Sequence, residues 1–301
     1  MKYEAGLVSV IIPTYKRADK LKRAIKSVLN QSYSNLEVLV VNDNEIDDEY
    51  TAQLKTLVQG VDNDPRFQLL LQEAHVNGAV ARNFGVSKSS GEYIAFLDDD
   101  DWWEPNKIEL QVAAFQECES DVGVISCRIK RYNNEKLIST LPKYDDGYVY
   151  KDVMMLASDF ATGTLLFRHE CLDSTRCFDE NLLRHQDLQL LVDFTSKYKL
   201  VQLDQPLHCC DVSDGQNRPD SEKLKEHKRR FFESVAPVFN TLTSREKRAI
   251  ICMHRYELGY VCLKNKKIFQ GVKFCLSIFL SFKAMRVAAR KTLFKIRSRI
   301  F

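Results

Sequence analysis

A chain of 301 residues, 45% apolar and 28% charged, is long enough to bury a full-sized core, and this composition excludes a disordered or fibrous protein. The formal net charge of +3 is unevenly spread: residues 264–301 hold eleven Lys/Arg and no acid, leaving 33 bases against 41 acids in the first 263. This predicts an acidic body with a basic tail that seeks phosphates or an anionic membrane; without an aromatic-basic recognition module, no nucleic-acid partner is expected.

Leading the chain, the apolar run at residues 7–12 reads as a strand buried on both faces of a parallel sheet. It runs into Pro13-Thr14-Tyr15-Lys16-Arg17 and not a small-residue cleavage site, so no signal peptide is expected. Leu21, Ala24, Ile25, Val28 and Leu29 share one helical face. A second buried strand at 36–41 ends at Asn42-Asp43-Asn44, and Tyr50, Leu54, Leu57 and Val58 follow at helical spacing. Residues 67–71 read as a third strand, 78–87 as a short helix, and 93–97 as a fourth strand running into Asp98-Asp99-Asp100-Asp101. Pro105 marks a helix start, with Ile108, Val112 and Phe115 as its apolar stripe, and 122–127 is a fifth strand. This alternation predicts an α/β fold with a largely parallel sheet, in which ligands bind beyond the carboxyl ends of the strands. Asp43 and the four aspartates both fall at such ends.

Beyond residue 127 the pattern loosens. Residues 128–150 read as a hairpin or excursion, and 164–167 and 200–203 as strands flanking a helix that carries Leu188, Leu191 and Val192. Residues 204–221, with Gly215, Asn217 and Pro219, lack periodicity and suggest a mobile lid; from Glu222 onward the pattern is helical. Nine cysteines without a CxxC pair predict thiols acting as small buried hydrophobes in a reducing cytosol. No run reaches the roughly 18 apolar residues of a spanning helix, so the body is expected to be soluble.

Four consecutive carboxylates near a buried strand end must take up protons or bind a cation. Asp98 and Asp100 alternate along an extended chain and can face one site, where carboxylate oxygens suit Mg²⁺ or Mn²⁺ bridging a diphosphate. Trp102 and Trp103 beside them could stack on the ring of an acceptor molecule or simply pack beneath the site.

At this point the chain resembles the family-2 glycosyltransferases with the GT-A fold, a Rossmann-like nucleotide-binding architecture. The matching stretches are Val8 to Arg17, Ser27 to Tyr33, Glu37 to Asp43, Ala81-Arg82-Asn83 with Gly85, and Gly91 to Asp101. The resemblance implies an inverting transfer of a hexose or N-acetylhexosamine from a UDP-sugar to a glycan or lipid-linked acceptor. It places Pro13, Thr14, Tyr15, Arg17, Asp43, Arg82, Asp98 and Asp99 at the nucleotide, Asp100 at the metal, and His208 within reach of metal or diphosphate. Arg82 could instead pair with the acidic cluster. The general base of the family, the Asp of a Glu-Asp pair after a Phe-Asp-Glu turn, maps onto Asp187 after Phe178-Asp179-Glu180. Gln186 replaces the usual Glu, which leaves His185 and Asp179 as rivals for the role.

The chain thus divides into a catalytic region at 1–221, with a nucleotide half to about 127 and an acceptor half from about 128, and a helical region at 222–301. In the tail, Ile268, Phe269, Val272, Leu276, Phe279 and Leu280 form an apolar stripe, interrupted by Lys273 and Lys283 and followed by Arg286, Arg290, Lys291, Lys295, Arg297 and Arg299. This reads as a helix lying on the inner face of the cell membrane, or as one docked on the body. A sugar-nucleotide nucleotidylyltransferase is the rival enzyme, but its Gly-rich phosphate loop is missing after the first strand. A non-catalytic nucleotide-binding membrane scaffold is the third reading.

Overall fold

Alternate residues of the first strand face two different helical layers, and both faces are closed to water. Val8, Val10 and Ile12 pack with Leu21, Ile25, Leu54, Ile108 and Phe115 on one side. Ile11 packs on the other with Leu39, Val41, Phe96, Ala79 and Ala81. This double burial explains the continuous apolar run read from the sequence.

The computed structural model describes residues 2–61, 63–213 and 219–300. The first part of the chain runs β1 (Glu4–Thr14), α1 (Ala18–Leu29), β2 (Leu36–Asn42), α2 (Glu49–Val58), β3 (Phe67–Leu71), α3 (Gly78–Lys88), β4 (Gly91–Phe96), β5 (Trp102–Trp103) and α4 (Lys107–Glu117). Then follow β6 (Val122–Asn133), β7 (Lys136–Thr140), α5 (Tyr150–Met154), β8 (Leu166–Arg168), α6 (His169–Asp173), α7 (Gln186–Thr195) and β9 (Lys199–Asp211). The chain continues with α8 (Ser221–Ser234), α9 (Ala236–Phe239), α10 (Ser244–Lys264), α11 (Ile268–Leu276) and α12 (Phe282–Ile300).

The strand order is β3-β2-β1-β4-β8-β6-β9-β5, with β7 beside β6. The first four strands are parallel, as expected, but β8 runs antiparallel to both β4 and β6, so the second half of the sheet is mixed. Short apolar runs do not carry strand direction, which is why the sequence suggested a more parallel sheet. Residues 128–140 form the expected hairpin, turned through Asn134 and Glu135, both at positive φ.

Three boundaries differ from the sequence reading. α4 starts at Lys107, because the Pro105 carbonyl instead accepts the Ser32 N–H. Residues 162–164 form a 3-10 turn before β8. β9 is a 13-residue strand, so residues 204–211 of the expected lid are paired, while Gly215 and Asn217 lie outside the described residues. This strand pairs in parallel along β6, which stabilises polar residues that show no alternation of their own.

The helical region keeps only a small cluster to itself, Leu224, Leu258 and Cys262, and packs most of its apolar residues into the core of the catalytic region. Phe231, Val235, Ala249, Ile250, Met253, Ile278 and Ala284 join the same cluster as Phe167, Phe178, Leu190 and Phe194. The tail both docks and exposes apolar surface. Ile278, Ala284, Val287 and Ala288 are buried and Lys291 pairs with Asp159 at 2.9 Å, whereas Phe269, Phe279, Leu280 and Phe282 are exposed. The side chains of Lys295, Arg297 and Arg299 lie outside the described residues. No helix among the described residues is long and apolar enough to cross a membrane. All nine cysteines are free, and five of them are buried.

α3 meets the sheet at Gly85, where an added Cβ would lie 2.5 Å from Ile11 Cγ2. Gly85→Ala is expected to cost about 1–3 kcal/mol through forced displacement of packed atoms. Urea unfolding measures this; an unchanged midpoint would show that α3 can move away freely.

Candidate active site

The four aspartates leave β4 in a tight turn in which the Asp101 N–H donates to the Asp98 carbonyl at 3.1 Å. Each carboxylate then has a partner, and Asp99 and Asp100 share Arg17. Arg82 Nη2 donates to Asp98 at 2.5 Å. The Thr14 hydroxyl donates to Asp99 at 2.8 Å, and the Tyr15 N–H does so at 3.4 Å. Arg17 Nη1 donates to Asp100 at 2.6 Å. The Asp211 N–H donates to Asp101 at 2.9 Å. Burial, aided by the neighbouring aspartates, raises Asp99 to about 6 and Asp100 to about 7.

The expected nucleotide residues gather at the carboxyl ends of β1 and β2. Pro13 and Thr14 close β1, and the Asp43 N–H donates to the Thr14 carbonyl at 2.9 Å. Asp43 is buried, its carboxyl raised by desolvation, and it accepts the Val76 N–H at 3.2 Å. His75, which the sequence reading missed, lies 3.2 Å from Asp43 and stacks on Tyr15 with ring centroids 4.0 Å apart. Tyr15, His75 and Asp43 thus form a flat aromatic and acidic corner suited to a planar base. The loop after β3 carries no periodicity, so nothing in the sequence pointed to His75.

Arg82 takes up the alternative considered for it, pairing with the acidic cluster. Gly78 gives its guanidinium room, since a Cβ there would lie 2.9 Å from Nη1. Arg82 also reaches the Gly78 carbonyl and the Gln186 side chain. Gln186, which departs from the family pattern, therefore ties the helix bearing Asp187 to the helix bearing Arg82. Asn83 holds the segment from the other side, exchanging hydrogen bonds with the Phe178 backbone and donating to Glu180.

Asp187 lies in the first turn of α7 and lines a cavity of about 150 Å³ together with Arg82, Asp98 and Thr162. Loss of solvation raises its carboxyl above the ordinary range. Asp179 has the opposite character. It accepts from the Ser234 hydroxyl and the Asn181 N–H, lies 3.5 Å from Arg176, and is shifted down overall. It is a satisfied turn residue. His185 precedes α7 at φ 64 and, being poorly solvated, falls to about 4; it is neutral at physiological pH.

His208 does not follow the last strand but lies within β9, opposite Trp103. It is fully buried, Nε2 is 3.0 Å from Asp101 Oδ2, and neither ring nitrogen makes a well-directed hydrogen bond. Gly163 permits this seat, since a Cβ there would lie 2.4 Å from the imidazole. Ligand atoms of Asp101, His208 and Cys210 lie within 4.8 Å of one another. Carboxylate and imidazole fit a divalent transition metal, and an orphaned buried imidazole fits a ligand position. Burial and Asp101 push the Cys210 thiol upward, so it stays protonated. The sequence reading paired His208 with Asp100; the strand pairing brings Asp101 to it instead. The acceptor role considered for Trp103 is corrected: it is buried, with Nε1 donating to the Gly163 carbonyl at 2.8 Å. Trp102 is half-buried, between the Arg23 guanidinium at 3.8 Å and Tyr132 at 4.8 Å.

A family model described as glycosyl transferase family 2 matches residues 9–174. The chain belongs to glycosyl transferase family 2. This transferase is 30% identical over 212 residues to Escherichia coli WcaA, named a putative colanic acid biosynthesis glycosyl transferase, covering 67% of the chain and 72% of WcaA. It is 39% identical over 107 residues to Escherichia coli WfgD, a UDP-Glc:alpha-D-GlcNAc-diphosphoundecaprenol beta-1,3-glucosyltransferase, covering 36% of the chain and 40% of WfgD. It spans 26% of the length of a 34% identical uncharacterized glycosyltransferase of Rickettsia bellii. Among solved structures, S. aureus TarS 1–349 in complex with UDP-GlcNAc superposes with a TM-score of 0.59 at 17% identity, covering 90% of each chain. At that identity the likeness is one of fold, the GT-A fold.

In this family-2 transferase the raised carboxyls have a definite sign. Asp99 and Asp100 keep protons in the folded state that the unfolded chain sheds above about 4. Their contribution to stability is therefore present below about pH 4 and is lost as pH rises through about 6 to 7. Relative to Asp100→Asn, the native chain is expected to lose stability across that window. Mn²⁺ should raise its Tm more at about pH 7.5 than at about pH 5.5, because protons compete for the same oxygens. Thermal melts across pH check this; a Mn²⁺ effect independent of pH would oppose it.

Proposed function

We propose that the chain is an inverting, metal-dependent hexosyltransferase that carries a hexose or N-acetylhexosamine from a UDP-sugar to a hydroxyl of a glycan or lipid-linked acceptor in surface-polysaccharide assembly. The observation that carries this reading is the single cavity shared by Asp187, Arg82 and Asp98. It joins a candidate base to the acidic cluster at the nucleotide end of the sheet. The names of WcaA and WfgD support the polysaccharide and lipid-linked context, and the UDP-GlcNAc complex of TarS supports the donor.

The roles follow from the site. Tyr15, His75 and Asp43 receive the base, and Thr14 keeps Asp99 in place behind it. Asp98 faces the ribose, and Arg82 exchanges its carboxylate partner for donor phosphate. Asp100 and Asp101 with His208 are the residues that would hold Mn²⁺ or Mg²⁺, whose charge would stabilise the departing diphosphate; the imidazole favours Mn²⁺. Asp187 takes the acceptor proton. Its poor solvation makes it a stronger base than a free carboxylate, and the helix start keeps it oriented. The attack is a single displacement with inversion, so no enzyme nucleophile is needed.

Asp187→Asn preserves size but removes basicity, and is expected to cut kcat by about 10²–10⁴-fold with little change in UDP affinity. Asp179→Asn should cost far less turnover and act mainly through stability. EDTA should abolish transfer and Mn²⁺ restore it. Near-normal turnover by Asp187→Asn, or full activity in EDTA, would remove the corresponding assignment.

The exposed apolar side of α11 and the 3-10 turn at Ser277–Leu280, set in a basic tail, supports peripheral attachment to the inner face of an anionic membrane. Truncation at 265 would strip buried Ile278 and Ala284 from the core, so exposed residues give the cleaner test. Phe269→Ser with Phe279→Ser is expected to reduce co-sedimentation with anionic liposomes while leaving donor turnover intact. Unchanged sedimentation would leave the tail a packing element.

A further inference from the structure

A second opening lies against the helical region, away from the acidic cluster. A cavity of about 650 Å³ lies between the segment around 144–160 and the helices α10 and α12. Its walls combine apolar Val149, Met155, Phe160 and Val287 with four basic residues, Arg245, Lys283, Arg286 and Arg290.

The charges in it are not balanced. Arg245 and Arg286 have no hydrogen-bond or ion-pair partner among the described residues. Arg290 donates to the neutral Ala157 carbonyl at 2.8 Å, which leaves its charge uncompensated. Of the lining acids, Glu246 is held by Lys151 at 2.8 Å and Asp152 lies 3.8 Å from Lys283. Asp145 alone remains against the guanidinium charges of Arg245, Arg286 and Arg290, which line the mouth of the cavity and are exposed to solvent.

A second observation is independent of charge. Ser158 lines the same cavity, is only 7% exposed, and its hydroxyl has no partner. A buried hydroxyl without a partner is costly, and a ligand oxygen would satisfy it. Guanidinium forks with a hydroxyl donor suit phosphate oxygens. Phe282, also lining the cavity, is 69% exposed and continues from exposed Phe279 and Leu280. The site thus offers cationic donors beside hydrocarbon-binding surface.

We infer that this cavity receives the phosphate headgroup of an anionic membrane lipid, with its hydrocarbon lying along Phe279, Leu280 and Phe282. The inference rests on the peripheral-membrane reading proposed above and adds a discrete, stoichiometric lipid site to a diffuse basic tail.

The test uses the full chain and dihexanoyl phosphatidic acid kept below its micelle concentration, with binding measured by calorimetry. The native chain should bind one molecule. Arg245→Gln with Arg286→Gln should weaken it by about tenfold or more, since the charged donors to the phosphate oxygens are lost. Ser158→Ala should weaken it less, and UDP affinity should not change in either variant. Equal affinity in native and double-variant chains overturns the site. Inorganic phosphate binding as tightly as the lipid overturns the lipid as its source. If the short-chain lipid binds through Arg245 and Arg286 but liposomes are ignored, the membrane reading falls and the cavity assignment stands. If liposomes bind but the short-chain lipid does not, the cavity assignment falls alone.

Discussion

Four negative charges in succession at the end of a buried strand are the condition to which the rest of this site answers. The fold spreads their partners over several elements, with Arg17 serving both Asp99 and Asp100. Arg82 comes from α3, Thr14 and Arg17 from the end of β1 and the loop after it, and the Asp211 backbone from β9. The cluster therefore ties together elements that are far apart in sequence. Two of the four carboxyls remain poorly solvated and raised, so charge neutralisation by the chain is incomplete. That residue of unbalanced negative charge is what a divalent cation would relieve.

The first half of the sheet was legible because its signals are local. Strands buried on both faces read as unbroken apolar runs, and strand ends rich in aspartate mark the ligand edge of such a sheet. β1, β2 and β3 fall within a few residues of their expected bounds for this reason. The second half depends on pairing between distant strands. Nothing in residues 204–211 alternates, yet they continue β9 because β6 offers a parallel edge along their length. That misreading displaced His208 from its place beside Asp101 and hid the trio with Cys210.

The rivals for the base show where sequence reasoning stops. Asp179, His185 and Asp187 sit within nine residues, and only their surroundings separate them. Asp179 is saturated with donors and lies away from the cavity, whereas His185 and Asp187 both line it with Arg82 and Asp98; the His185 ring packs near Phe231 and is held neutral, and Asp187 presents a desolvated carboxyl. Gln186 accepts from Arg82, as the family's acid could, and its amide also donates to the Leu182 carbonyl, which a carboxylate cannot do; no motif spacing displays either contact.

The shared core of α7 and the C-terminal helices has a consequence for how such a protein can change over time. Leu190 and Phe194 on the inner side of α7 belong to one cluster with Phe231, Ile250 and Ala284. A region added as an independent module can be exchanged between relatives without disturbing chemistry elsewhere. This one cannot, because a foreign helical region would bring its own side-chain volumes against the helix that carries Asp187. Drift at the buried positions of the helical region must therefore be matched by drift on the inner side of α7, so these two parts of the chain are bound to evolve together.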